Sequence, residues 1–437
     1  MKKTALFVML VCLLLAASAL ADGYALKEDA ERSYDVSDGV RYRGFMLTSG
    51  VNGVTVPASA LEIDPDKCRV LPYSGAAGGA ADLSEQYKLA KDEGYDPIGI
   101  INGDFFSMDF DDSKDAKSNS RYGNYGFLNE YLITDGEIIS AANDRPAVDF
   151  GGMTAIDEKG KITVLPESNL HFDLFFNGEK TKGVLRYINK TDGCRQKDNW
   201  SDDYYYFDRH SGDLMDEKSI SKALTYKVCP GVEVKCRKAK GEKLKVGGEM
   251  KGEVLSVTKD AFGGDIGKDE FIIFVRSGSP YASEAAALRK GDTVSVKVTE
   301  TVPEAEKAFG DKVSVLACIG ELMRGDKDLT ASDDFNKRAP HSNTYEASWA
   351  AFGVKADGTW VFFTCAGTDG DAGNTVTLKD VERAMADIGC IHAIRLDGGG
   401  STAMYVCDTG NGKPGYMQES DRKVGDCLMA VRRQDIV

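Results

Sequence analysis

The chain has 437 residues and carries 54 basic against 69 acidic side chains, a formal charge of −15 at pH 7. An acid surplus of this size speaks against nucleic acid and anionic membrane as partners, because both reward clustered Lys and Arg. The length suits one large domain or two.

Lys2 and Lys3 form a basic start, residues 5–17 form a short apolar run, and Ala19-Leu20-Ala21 places small residues at −3 and −1. Residues 1–21 therefore read as a signal peptide cleaved after Ala21. Its apolar run falls short of the roughly 20 residues that a bilayer span requires. The expected product is secreted and has no membrane contact after cleavage. Losing two lysines and no acid takes −15 to near −17. Ten cysteines occur, and Cys12 lies in the leader. The other nine meet an oxidising compartment, where some are expected to pair, with connectivity open; Cys229 and Cys236 are spaced to close a small loop. No C-x-x-C pair occurs and the four histidines are scattered, which disfavours a structural zinc site.

In chain order, Arg41–Leu47 and Val54–Ile63 read as strands. Leu83–Glu93 reads as a helix with Asp82 or Ser84 at its start and Gly94 past its end. The apolar run Pro97–Ile101 reads as a buried strand delivering Asn102-Gly103-Asp104-Phe105-Phe106. Residues 109–121, rich in Asp, Ser, Lys and Asn, read as a surface loop. Asp135-Gly136 and Lys159-Gly160 read as hairpin turns.

From about residue 165 to 300 short β-patterned runs alternate with Gly, Lys and Asp turns, notably Glu253–Val257, Phe271–Val275 and Thr293–Val298. Trp200 and Tyr204–Phe207 could form a sugar platform, although packing in a core is the weightier reading. Trp360–Cys365 reads as a buried strand. Thr377–Ile388 is the clearest helix, with Thr377 as cap, Asp380 completing the capping-box spacing and Gly389 as stop. Ile391–Leu396 is a strand running straight into Asp397-Gly398-Gly399-Gly400-Ser401-Thr402.

Both candidate motifs thus place polar residues and glycines at the carboxyl end of an apolar strand, where mixed α/β folds commonly bind ligands. Gly398, Gly399 and Gly400 free the backbone to turn and point N–H groups at an anion, and Ser401 and Thr402 add hydroxyls. Asp397 supplies a carboxylate for proton transfer or for orienting a sugar or cation. A glycine run alone also makes a tight turn. No Gly-Lys-Ser/Thr follows, which excludes a P-loop, and no G-x-S-x-G surrounds Ser401. His392 alternates with apolar residues and reads as a satisfied buried histidine. Asp369–Asn374 resembles a calcium loop but lacks the oxygen ligand and glycine at its fifth and sixth positions.

Ile101–Phe106 together with Ile394–Thr402 resembles the signature pair of the phosphodiester glycosidase family. That family includes the lysosomal uncovering enzyme and exported bacterial relatives, some associated with exopolysaccharide. Gly126-Phe127 through Glu137, Ile319–Leu322, and Thr377-Leu378 before the helix resemble the intervening family segments, so the resemblance covers nearly the whole mature chain. The family's usual Arg-Thr-Ala-x-Gly is replaced by Trp349-Ala350-Ala351-Phe352-Gly353, and Arg395 stands where an asparagine is usual. Arg338, His341 and Thr344 lie slightly upstream and are placed to compensate.

The resemblance implies an exported hydrolase cleaving a sugar from a glycan sugar-1-phosphodiester, with a phosphodiester-linked glycan or cell-surface polysaccharide as partner. Asp397 and Asp104 are the expected acid/base carboxylates, since glycoside cleavage commonly uses two. Asn102 would fix a sugar hydroxyl or orient a carboxylate. Gly398–Gly400 with Ser401 would hold the phosphate, and Arg338 would neutralise it. No cofactor is firmly implied; a divalent cation stays open. Two rivals remain, a non-catalytic glycan- or cell-wall-binding protein and a metal-dependent phosphodiesterase. The expected fold is α+β, a mixed β-sheet core with helices built from residues 22–160 and 301–437 and split by an inserted β-rich subdomain over 161–300.

Overall fold

The computed structural model describes residues 23–75, 80–104, 106–108, 126–128, 131–143, 153–165, 167–190, 202–211, 230–310, 312–317, 320–325, 327–330, 347–367, 375–419 and 423–433. The leader, the 109–121 loop, Trp200 and the Asp369–Asn374 segment lie outside these residues, as do Cys194, Cys229 and Cys318.

An eight-stranded antiparallel sheet runs in the spatial order Ala25–Ser37, Val40–Thr48, Thr55–Ile63, Trp360–Cys365, Trp349–Lys355, Cys390–Arg395, Gly320–Arg324 and Lys327–Asp328. Chain start and chain end meet at its middle, where Ile63 lies opposite Trp360. A five-stranded antiparallel sheet follows the order Gly415–Gln418, Met404–Val406, Pro97–Asn102, Cys427–Arg432 and Cys68–Tyr73. The two sheets pack face to face, with Ile98, Ile101 and Leu428 against Leu61, Phe352, Phe362 and Ile394. Each such fully buried side chain contributes about 1.5–3 kcal/mol relative to exposure.

A helix covers each outer face. Leu83–Asp92, capped by Asp82 accepting the Glu85 N–H, lays Leu83, Tyr87 and Ala90 on Leu71, Ile100 and Met429 of the smaller sheet. Leu378–Ile388 lays Leu378, Val381 and Met385 on Ala351, Phe363 and Ala393 of the larger sheet. Its capping box is formed by Thr377 and Asp380, and Gly389 ends it at φ 103°, in the left-handed region that favours glycine. Asp380 also accepts from Ser49 Oγ (2.7 Å) and Gly50 N (2.9 Å), which ties the helix to the N-terminal hairpins.

The middle of the chain builds a 13-stranded sheet around its own core, which includes Phe172, Tyr204, Tyr206, Phe271 and Val296. Tyr204–Phe207 is fully buried, so these rings form core and not a platform. Asp135 and Gly136 turn the first hairpin at φ 48° and 75°, the pairing that a tight two-residue turn requires.

Strand dominates the described residues and helices are few, so the fold is more β-rich than the α+β expectation. The motif-bearing sheets are also antiparallel throughout; the parallel pairing among the described strands joins Leu185–Ile188 to Tyr204–Asp208. Pro97–Asn102 is apolar along its length because a sheet covers one face and a helix the other, which mimics the burial of a parallel strand. Cys68, Cys236, Cys365, Cys390, Cys407 and Cys427 are free thiols, so the expected pairing is not seen among the described cysteines. All but Cys407 are buried and pack as small apolar groups. No helix among the described residues is long and apolar enough to cross a membrane.

Candidate functional site

The strands ending at Asn102 and Arg395 belong to different sheets, yet their carboxyl ends converge. Asp397 N donates to Gly103 O (2.9 Å). Asn102, fully buried, brackets the whole glycine loop. Its Nδ2 donates to Asp397 O (2.7 Å), and its Oδ1 accepts from Ala403 N (3.0 Å). Asn102, Asp104, Asp397, Ser401 and Thr402 are all buried at this junction.

The glycine run has separate reasons at successive positions. A Cβ on Gly398 would lie 2.9 Å from the Trp349 ring and 3.0 Å from Ser348 O, so close packing requires glycine there. Gly399 has φ 61° and opens the short 3-10 turn Gly399–Ser401. Gly398 N donates to Asp397 Oδ1 (2.8 Å) and Gly399 N to Ser348 O (2.8 Å). These amides are already engaged within the protein, so the loop as described does not present three free N–H groups. The hydroxyls are different: Ser401 Oγ and Thr402 Oγ1 are buried and have no hydrogen-bond partner among the described residues.

A third carboxyl, not singled out from sequence, completes the junction. Asp426, fully buried, accepts the Asp104 N–H at Oδ1 (2.8 Å). Gly103 packs directly on it; a Cβ there would lie 2.5 Å from Asp426 Oδ1. Burial, and then the negative charge of Asp397, push the Asp426 carboxyl up to about 7, against the pull of the Asp104 N–H. Asp426 heads the strand Cys427–Arg432, whose Cys427 lies opposite Asn102, and that pairing places the acid beside the first motif. The only hint in the sequence is an acid at the mouth of the last apolar strand.

Trp349, which stands where the resemblance calls for arginine, carries a cation from the next strand. Ala351 lies opposite Arg395, and the Arg395 guanidinium stacks 4.7 Å from the Trp349 ring centroid. Burial lowers Arg395 to about 10, and the Asp397 charge acts to raise it. Arg338, His341 and Thr344 lie outside the described residues. His392 is half-buried, not buried as expected, and is paired with Glu321 at 2.7 Å.

A cavity of about 210 Å³ opens against the loop, lined by Gly399, Gly400 and Thr402, by Ser348 and Gly367, and by Gln418 and Glu419. For a metal, the one compact His/Asp/Glu grouping among the described residues is Glu137, Asp208 and His210. Its donor set does not fit a cation. Arg209, Lys243 and Lys238 already stand 3.7, 3.8 and 3.9 Å from the Glu137 carboxylate. A divalent ion would add repulsion to a group that is already compensated.

Residues 273–431 match the phosphodiester glycosidase family model. The matched segment contains Asp397 and Asp426; the strand delivering Asn102 and Asp104 precedes it. Among solved structures, the chain is similar to a candidate exported protein from Burkholderia pseudomallei K96243. That match has a TM-score of 0.58 at 14% identity, covering 93% of this chain and 96% of that one. It is also similar to a hypothetical protein from Synechocystis, with a TM-score of 0.54 at 16% identity, covering 94% of this chain and 68% of that one. At these identities the likeness is one of fold. No curated protein matches the sequence.

Proposed function

We propose that the protein is an exported phosphodiester glycosidase, releasing a sugar from a glycan sugar-1-phosphodiester outside the cytoplasm after loss of residues 1–21. The observation that carries this reading is the stitching of the two motifs: Asp397 and Asp104 meet at one junction because Asn102 and Gly103 bond directly to the aspartate-glycine loop. In this reading Asp397 and Asp104 act as the acid/base pair at the glycosidic bond, the arrangement that glycoside hydrolysis commonly uses. Asn102 fixes the loop that carries Asp397. Ser401 and Thr402 offer hydroxyls to the phosphodiester, and the glycines let the substrate approach the backbone. Arg395, with Arg338, His341 and Thr344 upstream, supplies charge and donors towards the phosphate. The division into residues 22–160 and 301–437 around a 161–300 insert is part of the same proposal, as is a cell-surface or exported polysaccharide as the natural partner.

Product analysis on a panel of sugar-1-phosphodiesters tests it, with the mature chain compared to Asp397→Ala. Free sugar plus a phosphomonoester, lost in the variant, is the expected result. A sugar phosphate in its place, with turnover sensitive to chelator, would instead mark P–O cleavage by a metal-dependent phosphodiesterase. Binding without turnover on every member would mark a glycan-binding protein.

A further inference from the structure

Trp349 is fully buried, and its ring is fixed from several sides. Its Nε1 donates to Val376 O (2.8 Å), just before the Thr377 cap of the Leu378–Ile388 helix. The ring lies against the aspartate-glycine loop, where a Cβ on Gly398 would stand 2.9 Å from Cε3 and 3.2 Å from Cζ3. Main-chain pairing with Cys365 and the bond from Gly399 N to Ser348 O (2.8 Å) hold the backbone on which the indole is mounted. Ala351, Phe363 and Val376 fill the same core cluster around it.

A tryptophan that only filled the core would account for this burial, but not for the cation on its face. Arg395 is half-buried, and its guanidinium lies 4.7 Å from the ring centroid. An arginine side chain has many rotamers, and a fixed aromatic face beneath the guanidinium selects among them. Stacking occupies the face of the guanidinium and leaves its in-plane N–H fork to an anionic group. The same indole therefore bears on both halves of the site. One face carries the cation, and its edge seats Gly398, whose N–H donates to Asp397 Oδ1 (2.8 Å).

We propose that Trp349 is a positioning residue: its ring holds the Arg395 guanidinium in the rotamer that presents a donor fork to the phosphodiester, while its edge seats the loop carrying Asp397. The proposal rests on the glycosidase reading for the identity of the anion. It deepens that reading by making the grip on the anion depend on an aromatic plate that touches no substrate itself.

The test has two arms. The first reads geometry and needs no turnover. In protein carrying isotope-labelled arginine, the Arg395 Nε–H resonance, identified by its loss in Arg395→Gln, should show an upfield ring-current shift. That shift should persist in Trp349→Phe and vanish in Trp349→Leu. A resonance that stays in place in a folded Trp349→Leu variant overturns the proposal whatever the enzyme does. The second arm measures KM and kcat on a sugar-1-phosphodiester for the wild type, these three variants and the double variant Trp349→Leu/Arg395→Gln. Trp349→Leu and Arg395→Gln should each raise KM about tenfold, and Trp349→Phe, which keeps a ring, should raise it by less than about threefold. The double variant should be no worse than Arg395→Gln alone, because the ring acts through the guanidinium. An unchanged KM in Trp349→Leu, or a loss in the double variant equal to the product of the single losses, would make Trp349 a packing residue and overturn the proposal. A wild type without turnover on any phosphodiester would count against the glycosidase reading, and the first arm would still decide whether the ring holds Arg395.

Discussion

Among the described residues, the buried ionisable groups around Glu137 and at the sheet junction are built in opposite ways. In the central sheet, Glu137 is surrounded by Arg209, His210, Lys243 and Lys238 at 3.7–3.9 Å. Burial pushes its carboxyl up, but His210 and then the lysines outweigh that and hold it at about 2. Its neighbour Asp208 accepts from Asn189 Nδ2 (2.8 Å), the His210 N–H (2.9 Å) and Tyr206 OH (3.2 Å). At the sheet junction, by contrast, Asp104, Asp397 and Asp426 gather near each other, Asp426 is driven towards its protonated form, and two buried hydroxyls lack partners among the described residues. A compensated cluster holds a fold together at neutral pH. A cluster of like charges costs stability and is the arrangement expected where chemistry is done.

The largest effect that would sharpen this contrast is on turnover. Asp397→Ala should lower kcat/KM on a sugar-1-phosphodiester by roughly 10²–10⁴-fold, the contribution of a positioned acid or base; steady-state kinetics would show it. Next comes the compensated cluster. Glu137→Gln leaves buried Lys238 and His210 without their counter-charge and should cost about 3–5 kcal/mol of stability, read from denaturant unfolding. A loss within a few tenths of a kcal/mol would break the comparison, because Glu137 would then be no better anchored than an exposed acid. Asn102→Ala should fall between the clusters. It removes the bracket from Asp397 O and Ala403 N and should cost about 1–3 kcal/mol for each buried group left unpaired, with activity lost alongside.

The smallest effect is a pH dependence, and its sign differs between the two sites. Asp426 holds its proton in the fold up to about 7, whereas the unfolded chain releases it near its ordinary value of 3.8. The wild type should therefore lose stability relative to Asp426→Asn as pH rises from about 4 to 7. Glu137 is depressed to about 2 from 4.5, so its contribution is full above 4.5 and is lost as pH falls towards 2. Thermal melts of wild type, Asp426→Asn and Glu137→Gln across pH 3–8 would show the opposed slopes.

Much of the scaffold was legible from local pattern. The Thr377–Gly389 helix, the Asp135-Gly136 turn and the strands leading into both motifs carry their own caps and turn residues, and these sit where expected. Sheet type was not legible. A strand such as Pro97–Asn102 is apolar on both faces whether a helix or a second sheet covers it, so burial alone left parallel and antiparallel pairing open. The junction was half legible. Asp397 and Asn102 announce themselves at the ends of apolar strands, but Asp426 lies 322 positions from Asp104 and carries no motif. Only the pairing of Cys427 with Asn102 brings it there. Gln418 and Glu419 reach the cavity in the same non-local way. The Trp349 departure was visible in sequence, but the Arg395 guanidinium stacked on it depends on cross-strand register.

On the proposed reading, the junction carboxylates serve function and the Glu137 cluster serves the fold. Measuring turnover and melting temperature side by side for Asp397→Asn and Glu137→Gln at neutral pH tests it most directly. The expected result is a crossover: Asp397→Asn loses turnover and melts no lower than the wild type, while Glu137→Gln melts lower and keeps turnover per folded molecule. The reverse pattern, with Asp397→Asn unfolding early and Glu137→Gln abolishing turnover in a stable protein, would contradict it.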